Sequence, residues 1–189
     1  QRRAELLPEP QPEFSPAAPG NTGALHDIAL RLGARYGEGG AQPVFWAPVS
    51  RRRRKDGSMA VFPHFVLDRS KPGIFSVGRD GRRFVNESRS YHEFVAAMYG
   101  ADRTVYERAN GDPSHRPNPT LGPVRTPPFY AIRLWPGDIG AATGLLTDTD
   151  ARLIDAEGKA IDGLYACGND MQSVMGGVYP APGINLGPA

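Results

Sequence analysis

Gly163-Leu-Tyr-Ala-Cys-Gly-Asn-Asp-Met-Gln-Ser-Val-Met-Gly-Gly-Val-Tyr-Pro-Ala-Pro-Gly-Ile-Asn-Leu-Gly-Pro-Ala189 is the stretch whose reading decides the fold. Leu164 to Cys167 is a short apolar run between glycines, the pattern of a strand buried on both faces. Cys167 then reads as a small apolar residue inside that strand. Gly168-Asn169-Asp170 follows with residues that tolerate tight turns. Gly176, Gly177 and Gly183 remove side chains where a backbone could approach a ligand closely. Residues 184–189 are compatible with a helix start, whose unpaired N–H groups would face an anionic or electron-rich group. A glycine-rich loop leading into a helix, with no ligand at all, would carry the same residues.

Composition narrows the function classes. The chain has 189 residues, enough for one compact domain. Gly 23 and Pro 19 make loops and turns abundant. A formal net charge of +2 gives no argument for a nucleic-acid partner or a membrane surface. One cysteine excludes an internal disulfide framework and a cysteine-rich metal site. No apolar run reaches the ~18 residues of a membrane span, and a cytoplasmic location is expected. The start, Gln1-Arg-Arg-Ala-Glu5, reads as an interior cut and not as a targeting signal.

Upstream, five prolines between Pro8 and Pro19 predict extended loop over residues 1–20. Asn21 or Thr22 can cap a helix in which Leu25, Ile28, Ala29 and Leu32 line a buried face. Val44 to Val49 reads as a strand. The basic run Arg51 to Lys55 could grip phosphates, but beside Asp56-Gly57 it reads better as a solvated hairpin turn. Ala60 to Asp68 and Ile74 to Val77 read as strands. Tyr91, Phe94, Val95 and Met98 stand at i, i+3, i+4 and i+7 on one face of a helix. His115 to Pro128, with five prolines, is a stiff connection, and Phe129 to Trp135 alternates like a strand. Short strands are expected at Thr143–Thr147, Arg152–Asp155 and Ala160–Ile161, around an Ala156–Lys159 turn. His26, His64, His92 and His115 show no metal-ligand spacing.

The terminal segment, with Gly-Leu-Tyr-Ala-x-Gly-Asn-Asp and Met-Gly-Gly-x-Tyr-Pro-x-x-Gly-Ile, resembles the flavin-binding segment of the fumarate-reductase-like FAD oxidoreductases. Within them it is most similar to the 3-ketosteroid Δ1-dehydrogenase group. Arg82 to Ser88 resembles that group's Gly-x-Arg-Phe-x-Asn-Glu segment, which opens the inserted cap, or substrate, domain. The resemblance implies an α/β chain with α+β elements: an incomplete FAD-binding Rossmann-like domain and a partial cap. Residues 1–45 would be a remnant of the FAD-binding domain, 46–125 the partial cap and 126–189 the C-terminal FAD-binding segment. Relatives carry a long stretch of cap where this chain has only Tyr99 to Thr104, and no Gly-x-Gly-x-x-Gly occurs anywhere. A C-terminal, internally shortened part of a larger enzyme is expected.

The same resemblance implies the chemistry. The cofactor would be FAD, held by Gly168, Asn169, Asp170, Ser173, Gly176, Gly177, Ile184, Asn185 and Leu186. The substrate would be a 3-ketosteroid or similar cyclic ketone, losing a proton beside the ketone and a hydride from the next carbon to flavin N5. An external electron acceptor would complete the cycle. The Tyr179 hydroxyl and the Gly183 N–H would hold the ketone oxygen, and Tyr91 would be the base. A free tyrosine has a pKa of about 10, so that role needs a lowered value. Ser90 stands before Tyr91 where the group has proline, and the helical spacing of Tyr91 equally suits a core aromatic. Fumarate reduction is disfavoured: Gly140 to Thr143 and Ser173 to Met175 lack the cations that clamp a dicarboxylate in those enzymes.

Overall fold

The computed structural model describes residues 2–7, 9–38, 40–100, 114, 125–181 and 183. Among them the elements run α1 (Arg2–Leu6), α2 (Ala24–Arg31), β1 (Val44–Arg53), β2 (Met59–Pro63), α3 (Val66–Arg69), α4 (Tyr91–Met98), β3 (Trp135–Ala141), β4 (Arg152–Ile154) and β5 (Ala160–Tyr165). One sheet has the order β2-β1-β3, and β4 pairs with β5 in a second. Helix and strand are mixed, as expected for an FAD-binding flavoprotein fold. No helix is long and apolar enough to cross a membrane, and no cluster of three potential metal ligands occurs, among the described residues.

The chain divides into two compact units. The first is Gln1–Gln11, Ala17–Phe45 and Asp138–Ala189; the second is Pro12–Pro16 and Trp46–Gly137. The core of the first unit is small-sided: Ala29 and Ala34 meet Leu145, Leu153 and Ala166, with Tyr36, Ile161, Leu164 and Met171 against them. Its edges are tied by Arg3, whose guanidinium pairs with the buried Asp138 carboxylate. The second unit is built on larger rings. Trp46, Val49, Phe94 and Val95 are fully buried. Trp46 meets Tyr99 edge-on at 5.6 Å, and Phe84 meets Phe94 at the same distance. Such edge contacts suit the ring quadrupole, negative on its faces and positive at its rim.

β1 is buried from Val44 to Ser50 and exposed from Arg51 onward. It pairs antiparallel with β2 in the register Val49↔Pro63 to Arg53↔Met59. The link is a tight turn: Arg54 N–H donates to Ser58 O at 2.8 Å, and Gly57 takes the left-handed φ of 85°. Asp56 Oδ1 accepts from the Ser58 hydroxyl at 2.7 Å and from its N–H at 2.9 Å. These bonds to the charged form hold the Asp56 carboxyl below its ordinary pKa. The basic run is therefore the exposed end of β1, Arg51 to Arg53, running into the solvated turn at Arg54 and Lys55 that its Asp-Gly signals.

Several sequence expectations are corrected. Residues 2–6 form α1 where loop was expected, because good helix formers precede the first proline. Helix α2 forms as predicted, but its cap position is Gly23 with no side-chain bond, not Asn21 or Thr22. Its buried side carries His26 and Ala29, while Leu25, Ile28 and Leu32 are exposed. The strand expected to reach Asp68 stops at Pro63, and Val66 to Arg69 turns into α3. Ile74 to Val77 makes only one isolated bridge, Val77↔Arg83, and Thr143 to Thr147 likewise contributes bridges. The Phe129 to Arg133 run is not a strand; Phe129, Tyr130 and Ile132 are exposed, and the strand starts at Trp135. Alternation marks a half-buried strand only when a neighbour covers one face.

Candidate functional site

The terminal motif is shaped by bonds to the strands around it. β5 pairs with β4 through Arg152↔Tyr165 and Ile154↔Ala160, with an irregularity between the two that Gly163 accommodates at φ 76°. The strand ends at Tyr165, two residues before the expected end. Tyr165 and Cys167 are exposed, so burial on both faces and an internal Cys167 are corrected. The cause is the turn that follows: Gly168 takes φ 60° and Gly168–Asp170 closes one 3-10 turn.

Beyond that turn the backbone is pinned on one side. Leu145 N–H donates to Asp170 O at 2.9 Å, Gln172 N–H to Leu145 O at 2.8 Å, and Ser173 N–H to Ala142 O at 2.9 Å. Side chains add to this. His26 Nε2 lies 2.9 Å from Asp170 Oδ1, and the His26 ring packs against Tyr36 at 5.6 Å. Gln172 Oε1 accepts from Gly144 N–H at 3.2 Å. The motif thus rests on α2 and on residues 142–145. Neither His26 nor Gln172 stood out in the sequence, since no spacing marks a side chain that braces a distant turn.

The glycines divide into two kinds. A Cβ on Gly177 would meet Gln42 O at 2.2 Å and Gln42 N at 2.5 Å, so this glycine serves a close approach within the chain. Gly176 (φ +58) and Gly183 (φ +86) have open space where a Cβ would stand. Turn glycines such as Gly57 and Gly158 share this combination, so at Gly176 and Gly183 it leaves room for a ligand without by itself requiring one. Met175 N–H donates to Ser173 Oγ at 3.2 Å and Gly176 N–H to Ser173 O at 3.1 Å, which holds the loop in that shape. Tyr179 is buried, its ring edge-on to Phe45 at 5.3 Å. These features fit a flavin ring. Ile184, Asn185 and Leu186 lie outside the described residues.

Tyr91 belongs to the second unit, as the first residue of α4. It is buried and meets Phe65 edge-on at 5.0 Å. Ser90 is the helix cap: its hydroxyl oxygen accepts from Glu93 N–H at 3.2 Å and its O–H reaches Glu93 Oε2 at 3.2 Å. The serine therefore has a local reason to precede Tyr91. The loop before it is held from inside. Glu87 pairs with Arg83 and accepts from Ser76 N–H at 2.6 Å. The buried Arg69 guanidinium donates to Glu87 O at 2.9 Å, Arg89 O at 3.1 Å and His64 O at 3.3 Å, and lies 4.3 Å over the Phe94 ring. Burial lowers the Arg69 pKa to about 10, so it stays charged at neutral pH.

His64 and His92 are structural in the same way. His64 Nδ1 meets Asp68 Oδ2 and its Nε2 meets Ser50 Oγ, both at 2.7 Å, tying α3 to the hairpin. His92 Nδ1 accepts from Trp46 N–H at 3.2 Å, and burial lowers its pKa to about 4. His115 lies outside the described residues.

Comparison with known proteins identifies what the chain is similar to. A 3-oxosteroid 1-dehydrogenase of Comamonas testosteroni is 52% identical over 85 residues, covering 45% of this chain and 15% of the relative. A 4-oxocyclohex-2-ene-1-carboxylate 5-dehydrogenase of Sinomonas cyclohexanicum is 27% identical over 259 positions, covering 93% of this chain and 44% of the relative. That alignment is longer than the 189-residue chain, so the relative has residues inside the matched region that this chain lacks. The crystal structure of 3-ketosteroid Δ1-dehydrogenase from Sterolibacterium denitrificans, in complex with 1,4-androstadiene-3,17-dione, superposes with a TM-score of 0.81 at 29% identity. It covers 98% of this chain and 48% of that one. The chain spans less than half the length of each of these relatives. The FAD binding domain family matches residues 1–105 and 99–186. The chain belongs to the FAD binding domain family, is similar to 3-ketosteroid dehydrogenases, and has FAD as its cofactor.

Proposed function

We propose that this chain is the flavin- and ketone-facing part of an FAD-dependent dehydrogenase that desaturates a 3-ketosteroid or similar cyclic ketone. The likeness to a steroid-bound dehydrogenase over 98% of the chain carries this reading. In it, residues 1–45 and 126–189 belong to an incomplete Rossmann-like flavin domain and 46–125 to a partial cap. The unit boundary between Phe45 and Trp46 supports the first limit; the chain returns to the first unit at Asp138.

The Gly168–Asp170 turn, Ser173, Gly176 and Gly177 would hold the flavin, together with Ile184, Asn185 and Leu186. FAD supplies the hydride acceptor, which no side chain can be. The Tyr179 hydroxyl and the Gly183 N–H bind the ketone oxygen and stabilise the charge that develops there. Two donors fixed before reaction stabilise an oxyanion without reorganising. Tyr91 takes the proton from the carbon beside the ketone, leaving the bonding pair to form the new double bond. Phe65 and Phe45, against the two tyrosine rings, keep their surroundings apolar. An external acceptor then removes the two electrons.

The test is a chimera: the Sterolibacterium denitrificans enzyme with its matching segment replaced by residues 126–189. Turnover of a 3-ketosteroid with an artificial electron acceptor is expected. A chimera that retains flavin yet oxidises neither a 3-ketosteroid nor a cyclohexanone carboxylate would sink the reading. A second reading, a non-catalytic remnant that cannot hold FAD alone, is favoured by one observation: the sequence has no Gly-x-Gly-x-x-Gly turn for the pyrophosphate.

A further inference from the structure

We propose that Ser50, His64 and Asp68 form a nucleophile–base–carboxylate relay that takes the acyl group of a small aryl ester onto Ser50. The proposal stands apart from the flavin reading, since none of the three is among the residues assigned to flavin or ketone. The bonds that tie α3 to the hairpin carry it. His64 Nδ1 lies 2.7 Å from Asp68 Oδ2, and His64 Nε2 lies 2.7 Å from Ser50 Oγ. At such separations a base can take a hydroxyl proton while a third group orients the ring. A relay of this kind is recognised by geometry and roles, whatever the order of its members along the chain.

The proton positions follow from the partners. An ionised carboxylate only accepts, so Nδ1 of a neutral ring carries the hydrogen and donates it to Asp68. Nε2 is then left as an acceptor, and the Ser50 hydroxyl donates to it. That is the tautomer a general base needs. Separate elements hold the three groups. Ser50 lies on β1 opposite Phe62 of β2. His64 directly follows β2; its N–H donates to Pro48 O at 2.8 Å and its carbonyl accepts from Arg69 Nε at 3.3 Å. Asp68 sits in α3, four residues beyond the ring it orients. Ser50 is the last buried residue of β1, 9% exposed, and from Arg51 onward the strand is open to solvent. The relay therefore stands at the edge of the buried part of the sheet, within reach of a small ester. The exposed Phe62 ring is edge-on to the imidazole at 5.1 Å, an apolar surface for an aryl group.

The step balances with ester and water alone. Ser50 Oγ bonds to the ester carbonyl carbon as its proton passes to Nε2. The carbon–oxygen bond to the phenol breaks, and the departing phenolate takes that proton from Nε2. Water then attacks the acyl-serine by the same route and releases a carboxylic acid. An aryl ester suits the relay because a phenolate leaves with its charge spread over the ring.

The test treats the purified full chain with p-nitrophenyl acetate and, separately, with a fluorophosphonate, and locates the adduct by mass spectrometry of peptides. Release of nitrophenol and a single adduct on Ser50 are expected. Urea unfolding should abolish the labelling, because the relay exists only in the fold. His64→Gln should slow it about 10²-fold, the usual share of a general base. Asp68→Asn, at an exposed position, should slow it roughly tenfold or more by releasing the other tautomer, with the urea midpoint nearly unchanged. No adduct on Ser50 in the folded parent would overturn the proposal. So would equal labelling of folded and unfolded chain, or labelling of Ser50 at the parent rate in either variant, which would leave His64 as a tie between α3 and the hairpin.

Discussion

His26 Nε2 lies 2.9 Å from Asp170 Oδ1, joining the first turn of α2 to the turn at the head of the flavin motif across 144 residues of sequence. The imidazole is buried and the carboxylate is largely open to solvent. A hydrogen bond between a buried ring and a largely solvated carboxylate contributes about 1 kcal/mol, and the packing of the ring on Tyr36 adds to it. His26→Ala should lower stability by roughly 1–3 kcal/mol in urea titration. Asp170→Asn, which keeps an acceptor, should cost much less. Equal losses for the two would show that the bond, and not the ring packing, dominates.

Gly176 and Gly177 should respond differently to alanine. Both have left-handed φ, which costs an alanine about 1–2 kcal/mol. At Gly177 the added carbon would also strike the Gln42 backbone. Overpacking against backbone adds roughly 1–3 kcal/mol. Gly177→Ala should therefore be clearly the more destabilising in thermal melts. Gly176→Ala should leave the fold nearly intact and, in a complete enzyme, lower flavin occupancy, because its Cβ would enter the open space above the loop.

His92 sets an acid limit on stability. Its pKa falls from 6.5 to about 4 on folding, chiefly through burial, with the neighbouring Glu93 opposing. The neutral form is the folded one, so between these values the unfolded chain binds more protons. Stability is then fully present above pH ~6.5 and lost as pH falls toward ~4. The loss should reach roughly 1–3 kcal/mol. His92→Gln should flatten the slope of urea midpoint against pH in that window; an unchanged slope would place the titration elsewhere.

In a complete enzyme carrying this segment, Tyr179→Phe removes one of two proposed donors to the ketone oxygen. Turnover should fall by about 10²–10³ while flavin content barely changes. Tyr91→Phe should abolish proton removal while leaving ketone binding nearly intact. Steady-state kinetics on a 3-ketosteroid, with flavin absorbance for each variant, checks both. Near-normal turnover of Tyr179→Phe would leave that ring as packing against Phe45.

Without a pyrophosphate turn, residues 1–189 alone should bind FAD weakly or not detectably. Fluorescence titration of the purified chain with FAD measures this directly. Tight, stoichiometric retention would show that the isoalloxazine side of the site suffices.

The sequence was most legible where local chemistry and tertiary cover agree. Tyr91 to Met98 is a helix because its apolar period and Ser90 cap act within a few residues. Val44 to Val49 lies in a buried strand for the same reason. It was least legible where burial depends on a distant partner. Leu25, Ile28 and Leu32 have the right period but are exposed, and Phe129 to Arg133 alternates without a neighbouring strand among the described residues. Cys167 reads as buried from its apolar neighbours and is exposed because a glycine two bonds' reach away turns the chain. The terminal glycines were found from the motif, but which of them faces open space and which faces Gln42 was visible only in three dimensions.

Arg69 gives the Arg83–Arg89 run its outline from outside that run. Its planar fork ties carbonyls of Glu87, Arg89 and His64 at once, and a lysine, a single point donor, could not span them. The recognisable letters Asn86-Glu87-Ser88 are thus only half of a device whose other half sits on a short helix nearly twenty residues earlier. Transplanting those letters into a new scaffold without a guanidinium beneath them would transfer a signature and leave its shape behind.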